Sequence, residues 1–273
     1  MSNRKNFVFS KKSPQKRAFS LIELSIVLII IGLLIAGITG GASLIKSASL
    51  RSAMGEARGY NVAVNSFYVQ FDSLPGDSAT VVNCPGSCTG GSANSIAGDA
   101  NGRIEFVNGV SPVTSAVAEN ANAWAALKNA GVIDTTFTTP LVPLQGNSNL
   151  VIQTPGGNIP SSKIKSAGWL FDYVGTQNVV ILTAATTLTT AHASAAVASA
   201  TPTVVITASD ALSIDTKMDD GVPNTGKVRV PTAMGAATPG TTFCYDNDAT
   251  PNNTYNTSAA ANTCALTFQV DIT

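Results

Sequence analysis

Between Phe19 and Ile38 the chain reads FSLIELSIVLIIIGLLIAGI, a run in which Glu23 is the only ionisable side chain. Roughly 20 such residues, wound as a helix rising about 1.5 Å per residue, match the ~30 Å hydrocarbon core of a bilayer. Arg4, Lys5, Lys11, Lys12, Lys16 and Arg17 precede the run, and no acid accompanies them. Lys and Arg stay on the cytoplasmic side, so the segment points outward and the rest of the chain is expected outside the cytoplasm. The positive leader also hides an asymmetry behind the formal charge of +0. Subtracting those six from the 16 basic residues leaves 10 against 16 acids, a net charge of about −6 for a chain beginning at Phe19. That balance argues against nucleic acid as a partner.

An ordinary secretory signal has a shorter apolar stretch and small residues at a cut beyond it. Ala36 to Ser43 offers such residues, but the run before it is too long for that reading. The helical period then continues through Leu50, Met54, Ala57, Val64, Phe67 and Phe71, with Arg51, Glu56, Arg58 and Asn65 elsewhere on the helix. Leu74-Pro75-Gly76-Asp77 stops it, because proline lacks the donor that a helix needs and glycine supplies turn geometry. The spacing predicts one long helix from about Ser20 to Asp72. Ser20-x-x-Glu23 at its start matches a capping box, in which the Glu side chain reaches back to the cap backbone N–H.

Lys16-Arg17-Ala18 followed by Phe19-Ser20-Leu21-Ile22-Glu23 resembles the prepilin signal of type IV pilins and type II secretion pseudopilins. The resemblance implies cleavage between Ala18 and Phe19, N-methylation of Phe19, and a role in assembly for Glu23, the fifth residue of the cut chain. Ala18 stands where that family usually has glycine, and Gly40-Gly41 where many members have a proline. The implied partners are prepilin peptidase, the inner-membrane assembly machinery, the lipid bilayer before assembly, and further copies or other pilins in a filament. The implied location is the inner membrane with the head in the periplasm, then a periplasmic or extracellular filament. The class is a structural subunit, a major or minor pilin or a pseudopilin. A membrane-anchored periplasmic binding domain or hydrolase that uses the helix only as a tether is the rival, and it predicts a retained leader.

The expected organisation is a leader over 1–18 that is removed, a transmembrane and assembly half over 19–41, an amphipathic half over 42–74, and a β-rich head over 75–273. The expected fold is α+β, the long helix packed on an antiparallel sheet. Residues 169–174 and 177–182 flank Gly175-Thr176 and read as a hairpin. Val204 to Thr207, Lys227 to Val230 and Ala265 to Ile272 are further strand candidates. Short helices are expected near Glu119 to Ala130, stopped by Gly131, and near Ser209 to Met218, stopped by Gly221. Leu74 to Asp77, Gly98 to Gly102, Ala123 to Leu127 and Ile214 to Gly221 also resemble, in that order, pieces of some bacterial prepilin-type proteins.

Cys84, Cys88, Cys244 and Cys264 suit an oxidising compartment, and three pairings are formally open. Pro85-Gly86 can turn the chain tightly enough for Cys84 to meet Cys88, and the family resemblance implies a C-terminal loop closed by Cys244 and Cys264. His192 is the single histidine, which leaves little for zinc. Asp99 with Asn101, Asp215 with Asp219 and Asp220, and Asp246 with Asp248 offer oxygens to calcium, without the spacing of a twelve-residue calcium loop. Asn-Gly and Asp-Gly are first of all turn dipeptides. No catalytic motif surrounds His192, and no other cofactor is expected.

Overall fold

The computed structural model describes residues 20–77, 100–104, 119–136, 150–189, 203–231, 235–236, 243–246, 253–259 and 261–272. The chain divides into two units between Ser47 and Ala48. Its elements are α1 (Leu21–Phe71), α2 (Glu119–Asn129), β1 (Leu150–Gln153), β2 (Gly168–Val174), β3 (Gln177–Thr183), β4 (Thr186–Thr189), α3 (Ala208–Met218), β5 (Val228–Arg229), β6 (Gly235–Ala236), β7 (Tyr245–Asp246), β8 (Thr254–Tyr255) and β9 (Leu266–Gln269).

Within the second unit the fold is a helix laid on an antiparallel four-stranded sheet, ordered β2-β3-β9-β5. Leu50, Ala53, Met54, Ala57, Ala63, Val64 and Phe67 form the buried stripe of α1. Burying a side chain the size of Val, Leu or Phe stabilises by about 1.5–3 kcal/mol, so this stripe outweighs the weak helix propensity of Gly55 and Gly59 in the same stretch. Aromatic rings continue the core. Tyr60 of α1 meets Trp124 edge-on at 4.9 Å and Trp169 at 5.6 Å, Trp124 lies 4.2 Å from Phe171, and Trp169 lies 5.6 Å from Phe268.

The hairpin pairs in the expected register, Trp169 opposite Leu182 and Phe171 opposite Val180, around Gly175, whose φ of 67° suits a tight two-residue turn. Both short helices form, and Gly131 and Gly221 follow them with positive φ.

Two details depart from the sequence reading. Val204 to Thr207 is not a strand: Ile206 makes one isolated bridge to Cys264, and Thr207 caps α3, its hydroxyl accepting from the Asp210 N–H at 3.2 Å. A capping residue and a following helix leave too few free backbone groups for a ladder. The strands at 227–230 and 265–272 are shorter than expected, ending at Val228–Arg229 and Leu266–Gln269. Glu56 and Asn65, off the apolar stripe, also bond to the rest of the head. Glu56 accepts from the Trp169 indole at 2.9 Å, the Ser162 hydroxyl at 2.7 Å and the Lys163 N–H at 3.2 Å, and the Asn65 amide donates to the Asp271 carbonyl at 2.6 Å.

Candidate processing and assembly site

The first unit carries the start of α1. From Leu21 to Ile45 its large apolar side chains are exposed, Leu21 at 87%. Among the described residues α1 is the one helix long and apolar enough, by length and composition, to cross a membrane. Two of its hydroxyls bond within the same helix. The Ser25 hydroxyl donates to the Ile22 carbonyl at 2.8 Å, and Thr39 to the carbonyls of Ile35 and Ala36 at 3.1 Å. Hydrogen bonds closed within the segment are what a hydrocarbon surrounding demands.

Glu23 stands in the first turn, where the helix dipole favours an acid. Its Oε2 accepts from the Ser20 backbone N–H at 2.8 Å, the Glu half of the expected capping box. Ala18 and Phe19, the expected scissile pair, lie outside the described residues.

The head brings together motifs that are far apart in sequence. Asp77 accepts from the N–H groups of Asn101 and Gly102 at 3.0 and 2.8 Å. Gly76, at φ 89°, packs so closely on α2 that a side chain there would run into the Glu119 carbonyl. Leu74 to Asp77, residues 100–102 and the start of α2 are therefore one structural knot at the end of α1. Asn101 spends its side-chain oxygen on the Arg103 N–H at 2.8 Å, as a turn residue does. Asp99 lies outside the described residues.

Asp215, Asp219 and Asp220 converge, with carboxylate oxygens within 4.8 Å of one another. Asp215 is fully buried on α3, accepting from the Tyr255 hydroxyl at 2.7 Å and the Gly221 N–H at 3.2 Å. Asp219 accepts from the N–H groups of Lys227 and Val228, and Asp220 from the Val222 N–H and the Thr225 hydroxyl. Three carboxylates are a reasonable start for a calcium shell. Here each already organises the 215–229 loop through groups of the chain itself. Burial, with the neighbouring Asp219 and Asp220 charges adding to it, lifts the Asp215 carboxyl to about 6. Hydrogen bonds from Thr225 and Val222 hold Asp220 below the usual carboxylate range. The Tyr255 hydroxyl is pushed upward by burial and by Asp215.

Cys244 and Cys264 form a disulfide with both cysteines fully buried, beside the short sheet β6-β7-β8. It ties β7 to the chain leading into β9 and joins the segment that carries Tyr255 to the sheet core. Cys84 and Cys88 lie outside the described residues.

Sequence reading missed Glu56, Asp77 and Tyr255 as organisers. Glu56 lies four residues before Tyr60, at the border of the buried arc, and that helical position was the available signal.

Comparison with known families decides what the N-terminal segment is. Residues 13–39 match the model for the prokaryotic N-terminal methylation motif. The chain carries a prepilin-type signal. This signal is the one found in type IV pilins and pseudopilins, and it supports a pilin-like or pseudopilin-like substrate of prepilin peptidase. It points to a structural subunit rather than an enzyme, and together with the apolar helix it is consistent with a membrane-anchored precursor. No curated protein and no solved structure matches the chain.

Proposed function

We propose that the chain is a structural subunit of a type IV pilus or related filament, a major or minor pilin. It is cut between Ala18 and Phe19, methylated on Phe19 and polymerised through the N-terminal half of α1. The observation that carries the reading is the methylation motif over 13–39, which takes in Glu23 and the exposed apolar start of α1. The head lies in the periplasm before assembly and on the filament afterwards.

The mechanism is a change of surroundings for that helix. In the bilayer its side chains face lipid; in the filament they face other helices, and packing rather than water exclusion drives the exchange. An acid in hydrocarbon costs on the order of 3 kcal/mol at the bilayer centre and less near the interface. Cleavage supplies a compensating charge, the amine of Phe19 on a neighbouring subunit. Pairing Glu23 with it neutralises both groups and fixes the axial stagger. The intact mass of the membrane form tests the processing step. It should correspond to a chain beginning at N-methylated Phe19; an uncut leader, or a terminus near Ala42, overturns the reading in favour of a simple anchor.

A further inference from the structure

The loop closed by Cys244 and Cys264 is fastened to α3 at a buried point. Tyr255 of β8, inside that loop, donates its hydroxyl to Asp215 of α3 at 2.7 Å, and both side chains are buried. The ends of the loop are held separately: the disulfide joins Cys244 to Cys264, and Cys264 exchanges backbone hydrogen bonds with Ile206, just ahead of α3. Between those ends β8 pairs with β7 over two residues, and Asn256 donates its N–H to the Cys244 carbonyl at 2.9 Å. A ribbon that short does not hold together in water by itself, so its order depends on what it packs against. Among the described residues no cation offsets the buried carboxylate. The charges that act on Asp215 are those of Asp219 and Asp220, and both oppose its ionisation. Lys227 is paired with Asp271 at 2.6 Å, the Lys217 ammonium donates to Ser213, and Arg229 donates to the Gly226 carbonyl and acts on Asp220. The hydrogen bonds that Asp215 receives from Tyr255 and Gly221 favour its charged form and are outweighed by burial.

We propose that the 244–264 loop is a strap that acid tightens: closed on α3 through Tyr255 and a protonated Asp215, it lifts more readily as Asp215 ionises, while the disulfide keeps its two ends in place. The inference concerns the head alone and does not rest on the filament reading. Lifting β8 admits water to Asp215, and its carboxyl returns from about 6 in the closed strap toward the ordinary 3.8. The closed form therefore binds the proton more tightly. Its support is fully present below 3.8 and is lost as the pH rises through about 6. The disulfide makes the motion local. With both ends tied, β8 can leave α3 while the sheet β2-β3-β9-β5 stays folded.

Hydrogen exchange of the full chain in detergent, read by mass spectrometry and divided by the intrinsic exchange rate at each pH, tests the strap. Peptides covering Tyr255 and Asn256 should be less protected than the β2–β3 hairpin at pH 7, and should gain about tenfold in protection at pH 5. Asp215→Asn keeps a hydrogen-bonding partner for the Tyr255 hydroxyl and has no proton to lose, so its strap should be equally protected at both pH values. Tyr255→Phe keeps the ring and removes the hydroxyl that supports the charged form. Its strap should lose protection more at pH 7 than at pH 5, with the hairpin near the parent. Four outcomes overturn the inference: a strap as protected as the hairpin, which would open only with the whole head; equal strap protection at pH 5 and pH 7 in the parent; a pH response that survives in Asp215→Asn; or Tyr255→Phe protected like the parent.

Discussion

Two acids on the same helix, Glu23 and Glu56, have opposite histories. Glu56 lies in the head unit, where Trp169, Ser162 and Lys163 all donate to it, so its charge is met by the fold. Glu23 lies among exposed leucines and isoleucines and receives the backbone N–H of Ser20, three residues away. The side chains of α1 divide in the same way: those from Leu50 to Phe67 include a stripe buried in the core, and those from Leu21 to Ile45 are open. One half of the helix has its partners inside the chain. On the proposed reading the other half finds them outside it, first in lipid and then in neighbouring subunits.

If that contrast holds, changes in the head should alter its stability. Removing the Cys244–Cys264 disulfide with paired alanines releases a loop whose ends are 20 residues apart, worth about 3 kcal/mol in the chain-entropy model. Chemical denaturation of the full chain in detergent should show that loss; an unchanged midpoint would mean that the C-terminal region is held by packing alone. Glu56→Ala should cost about 2 kcal/mol, because it leaves the Trp169 indole donor in the core without its acceptor. A cost near zero would mean that Glu56 does not hold the indole in place.

The smallest expected effect concerns pH. Asp215 has its carboxyl raised to about 6 in the folded chain from an ordinary value of 3.8. Its contribution to stability is therefore fully present below the ordinary value and is lost as pH rises through about 6. Acidifying from pH 7 to pH 5 should stabilise the head by about 1 kcal/mol through this group, and Asp215→Asn should flatten that part of the profile. Asp220, held low, loses its contribution only in more acidic solution and does not cancel the effect. A parent and an Asp215→Asn variant with the same profile from pH 5 to 7 would contradict the assignment.

Much of the fold was legible because its strongest elements have strong periods. The stripe from Leu50 to Phe67 repeats at helical spacing, and the 168–183 hairpin has two uniform apolar runs around a two-residue turn. What escaped were elements too short to carry a period, such as β6, β7 and β8 at two residues each. The partners of Glu56 and Asn65 were not legible either, since polarity does not record that a carboxylate or an amide will meet an indole donor or a carbonyl of the head. The spaced acids of 215–220 were read as oxygen donors in sequence. Their meeting with Tyr255 depends on the disulfide-linked C-terminal segment folding back, which no local pattern records.

The central claim is that Glu23 waits for a charge outside its own chain. Gln at this position keeps a side-chain oxygen for the Ser20 N–H and loses the charge. Quantifying Glu23→Gln in purified filaments against the processed subunit left in the membrane measures that charge directly. The account predicts a variant that is cut, inserted and melts like the parent, with incorporation reduced about a hundredfold, the size expected when one partner of a buried charge pair is removed. Incorporation equal to the parent would reduce Glu23 to a helix cap and contradict the charge-pairing mechanism.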